Sequence, residues 1–433
     1  MNESSQRQTY RFAFVMITSL FFMWGFVHNL DPILIPHLRR SFSLTVLQSA
    51  LVDSAVFIAY FLMALPAGLL IRKAGYKAAM LSGLALFAAG ALLFIPAADT
   101  QRYVYFLGAL FIIACGLTVL ETAANPYITL LGRPEQATQR LNLAQSFNGL
   151  AATLAPIAGA RLILVDGASD AQLQAMSDSA RQAVLAAEAA SVKGPYLAIA
   201  LVIVAIATVF FFLKLPAIGA GQTGRAAPAR GAIARALARA SIRRAVVAQF
   251  FYVGAQVCVF SFFILYATKA AGVSQIVAAD YLGWGCGCAF VVGRFAGTWL
   301  MKYIVPARLL LAYALASVAL CAVAMFSSGL TSLAAVIGIA FFMSIMFPTI
   351  FSLGIDNAGP DTEMGSSLII MSIVGGAVLP LVFGYISDAT HNLQYGYAAP
   401  LLCFVVIAWF ARAVLREAQP AAAATSTGSI AHV

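Results

Sequence analysis

Apolar stretches of about 20 residues or more recur along the whole chain, parted by short polar joints, and each is long enough to cross a bilayer as a helix. The pattern predicts twelve spans, at residues 12–36, 47–71, 78–98, 103–131, 141–165, 196–215, 244–268, 278–302, 307–328, 331–354, 364–386 and 396–415. The short alternating segments of a membrane β-barrel are missing from it. Two joints are long. Residues 166–195 carry Asp166, Asp170, Asp178 and Glu188 among many alanines and predict a short surface helix. Residues 216–243 are rich in Gly, Ala and Arg and predict a mobile basic linker.

Motifs repeat across that linker. Pro126-Tyr127-Ile128-Thr129-Leu130-Leu131-Gly132 ends the fourth span, and Pro348-Thr349-Ile350-Phe351-Ser352-Leu353-Gly354 ends the tenth with the same spacing. Gly68 to Lys73 ends the second span, and Gly297 to Lys302 ends the eighth. The expected fold class is therefore an all-α membrane protein of twelve transmembrane helices in two pseudo-symmetric six-helix bundles. Its predicted parts are residues 1–215, the linker at 216–243, residues 244–416 and a disordered tail at 417–433. Paired repeats of this kind mark rocking transporters with a site between the repeats.

Composition agrees with a polytopic membrane protein: 62% of the 433 residues are hydrophobic and 10% charged, where soluble domains carry about 25% charge. The net charge of +10 is read as topology rather than as a nucleic-acid surface, because the basic residues sit in short loops. Arg72, Lys73, Lys77, Arg133, Arg140, Lys302, Arg308 and the run from Arg225 to Arg244 fall on one side. Arg39, Arg40, Arg102, Arg181 and a few others fall opposite. That asymmetry predicts both termini in the cytoplasm. Six cysteines lie in apolar runs without zinc-ligand spacing, no phosphate-binding Gly-Lys-Ser/Thr loop occurs, and the short polar N-terminus lacks a signal-peptide pattern. Neither a resident metal nor another cofactor is expected, and an enzymatic function lacks a nucleophile–base pair.

Candidate chemistry starts at Glu121, in the middle of the fourth span. A charge at that depth costs at least about 2.5–3.5 kcal/mol and by default marks function. Thr118 and Asn125 lie one turn to either side on the same helical face, and Pro126 weakens the helix just beyond. Two further acids, Asp31 and Asp53, sit toward the outer ends of neighbouring spans. A carboxylate that loses water on closure can take up a proton. His28 is placed three residues before Asp31, where it could tune that acid. Asn142, Gln145 and Asn148 recur every three residues on the fifth span and form a polar stripe suited to sugar hydroxyls.

Several segments resemble a known family. Gly68 to Lys77, with Arg72, Lys73 and Lys77 around Gly75-Tyr76, is similar to the loop signature of the major facilitator superfamily, and these cations are expected to steady a gate by meeting helix C-termini. Phe21-Phe22-Met23-Trp24-Gly25, Leu120 to Pro126 and Arg140 to Asn148 resemble the fucose–galactose–hexose symporters, in particular the L-fucose permeases. So do Tyr252 to Gln256 and Phe347 to Ile355. The resemblance implies proton-coupled sugar symport by alternating access in a bacterial cytoplasmic membrane, by a chain working as a monomer, with L-fucose the first candidate. Galactose, glucose and N-acetylglucosamine are the alternatives. Glu121 would couple protonation to recognition, and Trp24, Asn29, Gln145, Asn148 and Gln256 would line the sugar site. Two aromatics of the family, a Trp and a Tyr, stand here as Phe260 and Phe347, which keeps a platform and loses polar tips. The family's Asn-Leu-Asn-Asp reads Asn29-Leu30-Asp31-Pro32, so the acid is one place early, about 100° around a helix. A proton-coupled exporter would share the fold but leaves the amide stripe unexplained, and a membrane-bound sensor would need a signalling domain.

Overall fold

The computed structural model describes residues 3–29, 46–100, 102–163, 176–213, 215 and 231–427. Every predicted span lies on helix wherever its residues are described, within a few residues of the expected limits. In order, the first elements are α1 (Glu3–His28), α2 (Val46–Thr100), α3 (Tyr103–Leu130), α4 (Ala137–Ile163), α5 (Asp178–Ala190) and α6 (Lys193–Phe212). There follow α7 (Ala232–Ala238), α8 (Ala240–Ser261), α9 (Phe263–Ala270), α10 (Gln275–Asp280), α11 (Cys288–Leu300) and α12 (Pro306–Phe326). The chain closes with α13 (Gly329–Met343), α14 (Met346–Ile355), α15 (Thr362–Met371), α16 (Gly375–Thr390) and α17 (Ala398–Thr427). Eight described helical segments are long and apolar enough to cross a membrane, and Ala55–Thr100 alone holds the second span's remainder and the whole third.

The chain divides into two compact units. The first comprises residues 1–127 and 147–226, the second residues 128–146 and 227–433. The division cuts α3 and α4, so the turn joining them belongs with the C-terminal unit.

In the first unit α2 breaks at Gly75, whose φ of 82° and ψ of 169° only glycine adopts without strain. Lys77, just past the break, donates from Nζ to the carbonyls of Phe211 and Leu213, both at 2.8 Å, and so caps the C-terminus of α6. Glycines bring α2 against α3: a Cβ at Gly116 would lie 2.6 Å from the Phe87 amide nitrogen, and one at Gly83 would lie 2.8 Å from Leu120. This close crossing sets the height of Glu121, which follows Leu120 directly. α1 meets α4 the same way, because a Cβ at Gly25 would lie 2.6 Å from Asn148 Nδ2.

In the second unit the end of α3 is closed by Arg140. Its guanidinium donates to the carbonyls of Thr129 and Arg133, each at 2.7 Å, and of Ile128 at 3.3 Å. The 216–243 segment, expected as a mobile linker, is helical from Ala232 onward. Its Arg239 Nε lies 2.8 Å and Arg235 Nε 3.5 Å from the buried carboxylate of Asp361, in the turn before α15. Ion pairs to Asp361, together with the buried Ala232, Ala236 and Ile242, thus fix the end of a segment whose composition reads as flexible. The tenth span splits into α13 and α14 because Pro348 has no amide proton for the Ser344 carbonyl, four residues back.

Gly116→Ala should force α2 and α3 apart and cost about 1–3 kcal/mol of stability, read as a lowered Tm of the detergent-solubilised protein. Gly108→Ala on the same helix, where a Cβ meets nothing within 4 Å, should leave Tm unchanged or raise it.

Candidate functional site

Glu121 is 7% exposed, in the middle of the apolar helix α3. Tyr60 of α2 donates its hydroxyl to Glu121 Oε2 at 3.0 Å. Asn125, wholly buried, follows one turn later. The Thr118 hydroxyl turns back to the Ala114 carbonyl at 2.7 Å, so that member of the predicted stripe serves its own helix. The carboxylate therefore meets neutral donors rather than a cation among the described residues.

α1 contributes aromatic and amide groups to the same unit. Trp24 is buried, its ring 4.1 Å from that of Phe21. Asn29 donates to the Gly25 carbonyl at 2.7 Å, and Asn148 of α4 donates to the Phe21 carbonyl at 3.1 Å. The Asn148 nitrogen thus holds the α1–α4 crossing, while Asn29 bonds back to its own helix. Asp31 lies outside the described residues, as does the side chain of Asp53. Arg72 and Lys73 lie on α2 beside Gly75.

The second unit gathers the remaining candidates around a residue that the sequence reading passed over. Arg294 of α11 is 4% exposed, and no carboxylate pairs with it among the described residues. Its Nε donates to the Ser344 carbonyl at 2.7 Å, the acceptor that Pro348 leaves open. Its Nη1 donates to the Gln145 carbonyl at 2.8 Å, and the guanidinium lies 4.5 Å from the centre of the Phe290 ring. Phe260 packs edge-on against the same Phe290 ring, with 5.8 Å between the two ring centres. The charge of Arg294 also acts on the Tyr252 hydroxyl, and the Tyr252 ring lies 6.2 Å from that of Phe347. Phe260 and Phe347 are thus linked through Phe290, Tyr252 and Arg294 to Gln145, and the half-buried Gln256 lies on the same helix as Tyr252 and Phe260. The signal for Arg294 was present as a guanidinium in the middle of the eighth span. Basic residues had been weighed only in loops, where they report topology.

Below Gln145 the polar face of α4 is committed to its neighbours. Asn142 Nδ2 bonds the Thr138 carbonyl at 2.9 Å and Thr349 Oγ1 at 3.2 Å. Thr138 Oγ1 and Ser352 Oγ lie 2.9 Å apart, and Gln139 Nε2 reaches the Thr298 carbonyl at 3.3 Å. A stripe that sequence spacing offers wholly to a ligand is here divided, with its first turns bonded to α11 and α14.

Residues 13–376 match the Major Facilitator Superfamily model. The chain is 42% identical over 417 residues to the L-fucose-proton symporter of Escherichia coli K12, covering 95% of this chain and 94% of that protein. It is 39% identical over 410 residues to a glucose/galactose transporter of Brucella abortus, covering 94% and 95%. A crystal structure of the transporter FucP in the outward conformation superposes with a TM-score of 0.88 at 42% identity, over 94% of this chain and 99% of that one. The proton:xylose symporter XylE, 13% identical with a TM-score of 0.65, shares the fold. The chain belongs to the major facilitator superfamily.

Proposed function

We propose that this protein is a proton-coupled sugar symporter of the cytoplasmic membrane, importing L-fucose by alternating access, with both termini inside and the monomer as the working unit. The observation that carries the reading is Glu121: a buried carboxylate in mid-span, held by the Tyr60 hydroxyl and by no cation among the described residues. Such a group is cheapest in the membrane when protonated. Protonation from the outer side permits sugar binding, and reopening to the cytoplasm releases both. Amides and aromatics supply what a sugar ring needs. Asn29, Gln145, Asn148 and Gln256 match hydroxyls, while Trp24, Phe260 and Phe347 face the C–H surfaces. Arg294 holds the aromatic cluster and the Gln145 backbone in register. Lys77, capping α6, steadies the loop around Gly75, with Arg72 and Lys73 in the same element. The proton is the only coupling agent required, with no metal or organic cofactor. The similarity to fucose and to glucose/galactose transporters supports the substrate class.

A second reading keeps the mechanism and moves the sugar. Phe260 and Phe347 offer ring faces without polar tips, and a site that gives up a hydroxyl partner discriminates differently among sugars. Glucose and galactose are its candidates, consistent with the 39% identity to the Brucella abortus transporter.

Labelled L-fucose should enter proteoliposomes faster as the outside pH falls, and unlabelled galactose and glucose should compete weakly. Strong competition by either would move the substrate to the second reading. Glu121→Gln, fixed in the neutral form, should accumulate no sugar beyond the no-gradient level while still exchanging sugar at a rate independent of pH. Accumulation equal to wild type would make Glu121 structural. Arg294→Met leaves the buried Ser344 carbonyl without a donor and takes from the Gln145 carbonyl the bond it makes beyond its helix, and uptake should fall at least about tenfold, the equivalent of one buried hydrogen bond. Arg294→Lys should recover only part of that, since one ammonium cannot reproduce the guanidinium's fork across the Ser344 and Gln145 carbonyls; full recovery would mean that charge alone matters.

A further inference from the structure

The α8 face that carries Gln256 and Phe260 continues inward through Tyr252 to Gln249. Residues 249, 252, 256 and 260 follow a three- and four-residue spacing and share one side of the helix. That side packs on α14. The Tyr252 ring meets Phe347 at one end, and toward the cytoplasm Ala245 approaches Gly354 so closely that a Cβ there would lie 2.3 Å from that of Ala245. Gln249 stands between these two contacts. It is completely buried, and neither its amide nitrogen nor its amide oxygen finds a partner among the described residues.

A glutamine side chain has two donors and an acceptor with two lone pairs. Buried amides in native proteins are nearly always bonded, and one left unmade weakens the state that contains it. A leucine or methionine would fill the same space at no such penalty. The residue makes sense if the arrangement described here is one of two, and in the other its amide is used. Three features say by what. The stripe it terminates begins at the proposed sugar contacts Gln256 and Phe260. Its neighbours Tyr252 and Phe347 present ring surface. The direction along α8 from Phe260 to Gln249 runs toward its N-terminal end, which carries Arg239, Arg243 and Arg244 and is the end expected in the cytoplasm.

We propose that Gln249 is a sugar-contacting residue of the inward-facing state: it takes a hydroxyl of the departing sugar as the α8–α14 contact opens toward the cytoplasm. This rests on the symport reading. Gln249 thereby sets affinity on the inner side without touching sugar bound from outside, and the orphan amide disfavours the closed arrangement and so promotes opening.

The test uses full-length Gln249→Leu and Gln249→Cys beside wild type. With labelled sugar, Gln249→Leu should raise the KM measured from the cytoplasmic side, in everted vesicles, by about tenfold, the size of one hydrogen bond lost. KM from the outside should stay within about twofold and Tm should hold or rise, because the orphan is removed. In everted vesicles Gln249→Cys should react with a small charged thiol reagent above the wild-type background, and added sugar should change the rate. Unchanged inner KM in Gln249→Leu, equal rises of KM on both sides, or a lowered Tm would overturn the proposal and make Gln249 a packing amide. So would an unreactive Gln249→Cys. A wild type that moves no sugar removes the symport reading and this ligand with it, while the labelling still decides independently whether Gln249 opens to the cytoplasm.

Discussion

A missing amide proton organises the second unit. Pro348 cannot bond the Ser344 carbonyl, α13 and α14 part there, and the open acceptor receives Arg294 Nε at 2.7 Å. The same guanidinium then holds the Gln145 carbonyl of α4 and lies on Phe290. Each step follows from one rule: at membrane depth no water satisfies a stray polar group, so a broken helix and a buried cation are tolerable only together. Remove the arginine and the Ser344 carbonyl loses its donor, while the Gln145 carbonyl keeps only its helical one. Restore a helical residue at 348 and the arginine loses an acceptor. The placement of Phe260, Phe347 and Gln145 depends on this exchange, since all three reach the cluster through residues that it fixes.

The two buried charges are handled differently, and the difference follows from their chemistry. A guanidinium stays charged in proteins and must be neutralised by geometry, so Arg294 is tied by two carbonyls and a ring face. A carboxylate can give up its charge by accepting a proton. Glu121 has neutral partners, the Tyr60 hydroxyl and the Asn125 amide, and a partner cation would lock it in the ionised form. The looser environment at Glu121 is thus the one suited to a group that must change state, and the tighter one at Arg294 suits a group that must not. The division of labour between coupling and positioning reads directly from the partners.

Much of this architecture was legible because hydropathy leaves few alternatives. Twelve apolar runs must be helices once no water is available to the backbone, and the helices fall where the runs do. Gly75 was visible as part of a motif, and its left-handed φ explains why that place needs glycine. The helical end of the linker, from Ala232, was hidden because its ion-pair partner, Asp361, lies over 120 residues away in the chain. Arg294 was hidden because a cation counts toward topology only when it lies in a loop, and Gln249 because an amide near a span's end resembles an interfacial residue. Asn142 and Gln145 were seen as a stripe, but spacing cannot say which turns of a stripe face a ligand and which are spent on neighbouring helices. Asp31 and Asp53 stand as sequence expectations alone.

The internal repeat shows how far such reading can go. Pro126 to Gly132 and Pro348 to Gly354 have the same spacing and end equivalent spans, yet their glycines do different things. Gly132 has a φ of 109° and turns the chain out of α3, where Arg140 collects the last carbonyls. Gly354 stays helical and lets Ala245 of α8 approach. Likewise Arg294 answers the open carbonyl behind Pro348, whereas beside Pro126 the polar group is an acid. Equal spacing preserves the path of the backbone, because span length and turn position are set by the membrane. It does not preserve the local solution for each unpaired group, because that depends on which helix lies opposite. A repeat therefore argues for the fold of both halves at once, while the chemistry must be derived separately in each. Here that derivation puts the titratable charge in one half and the fixed charge in the other.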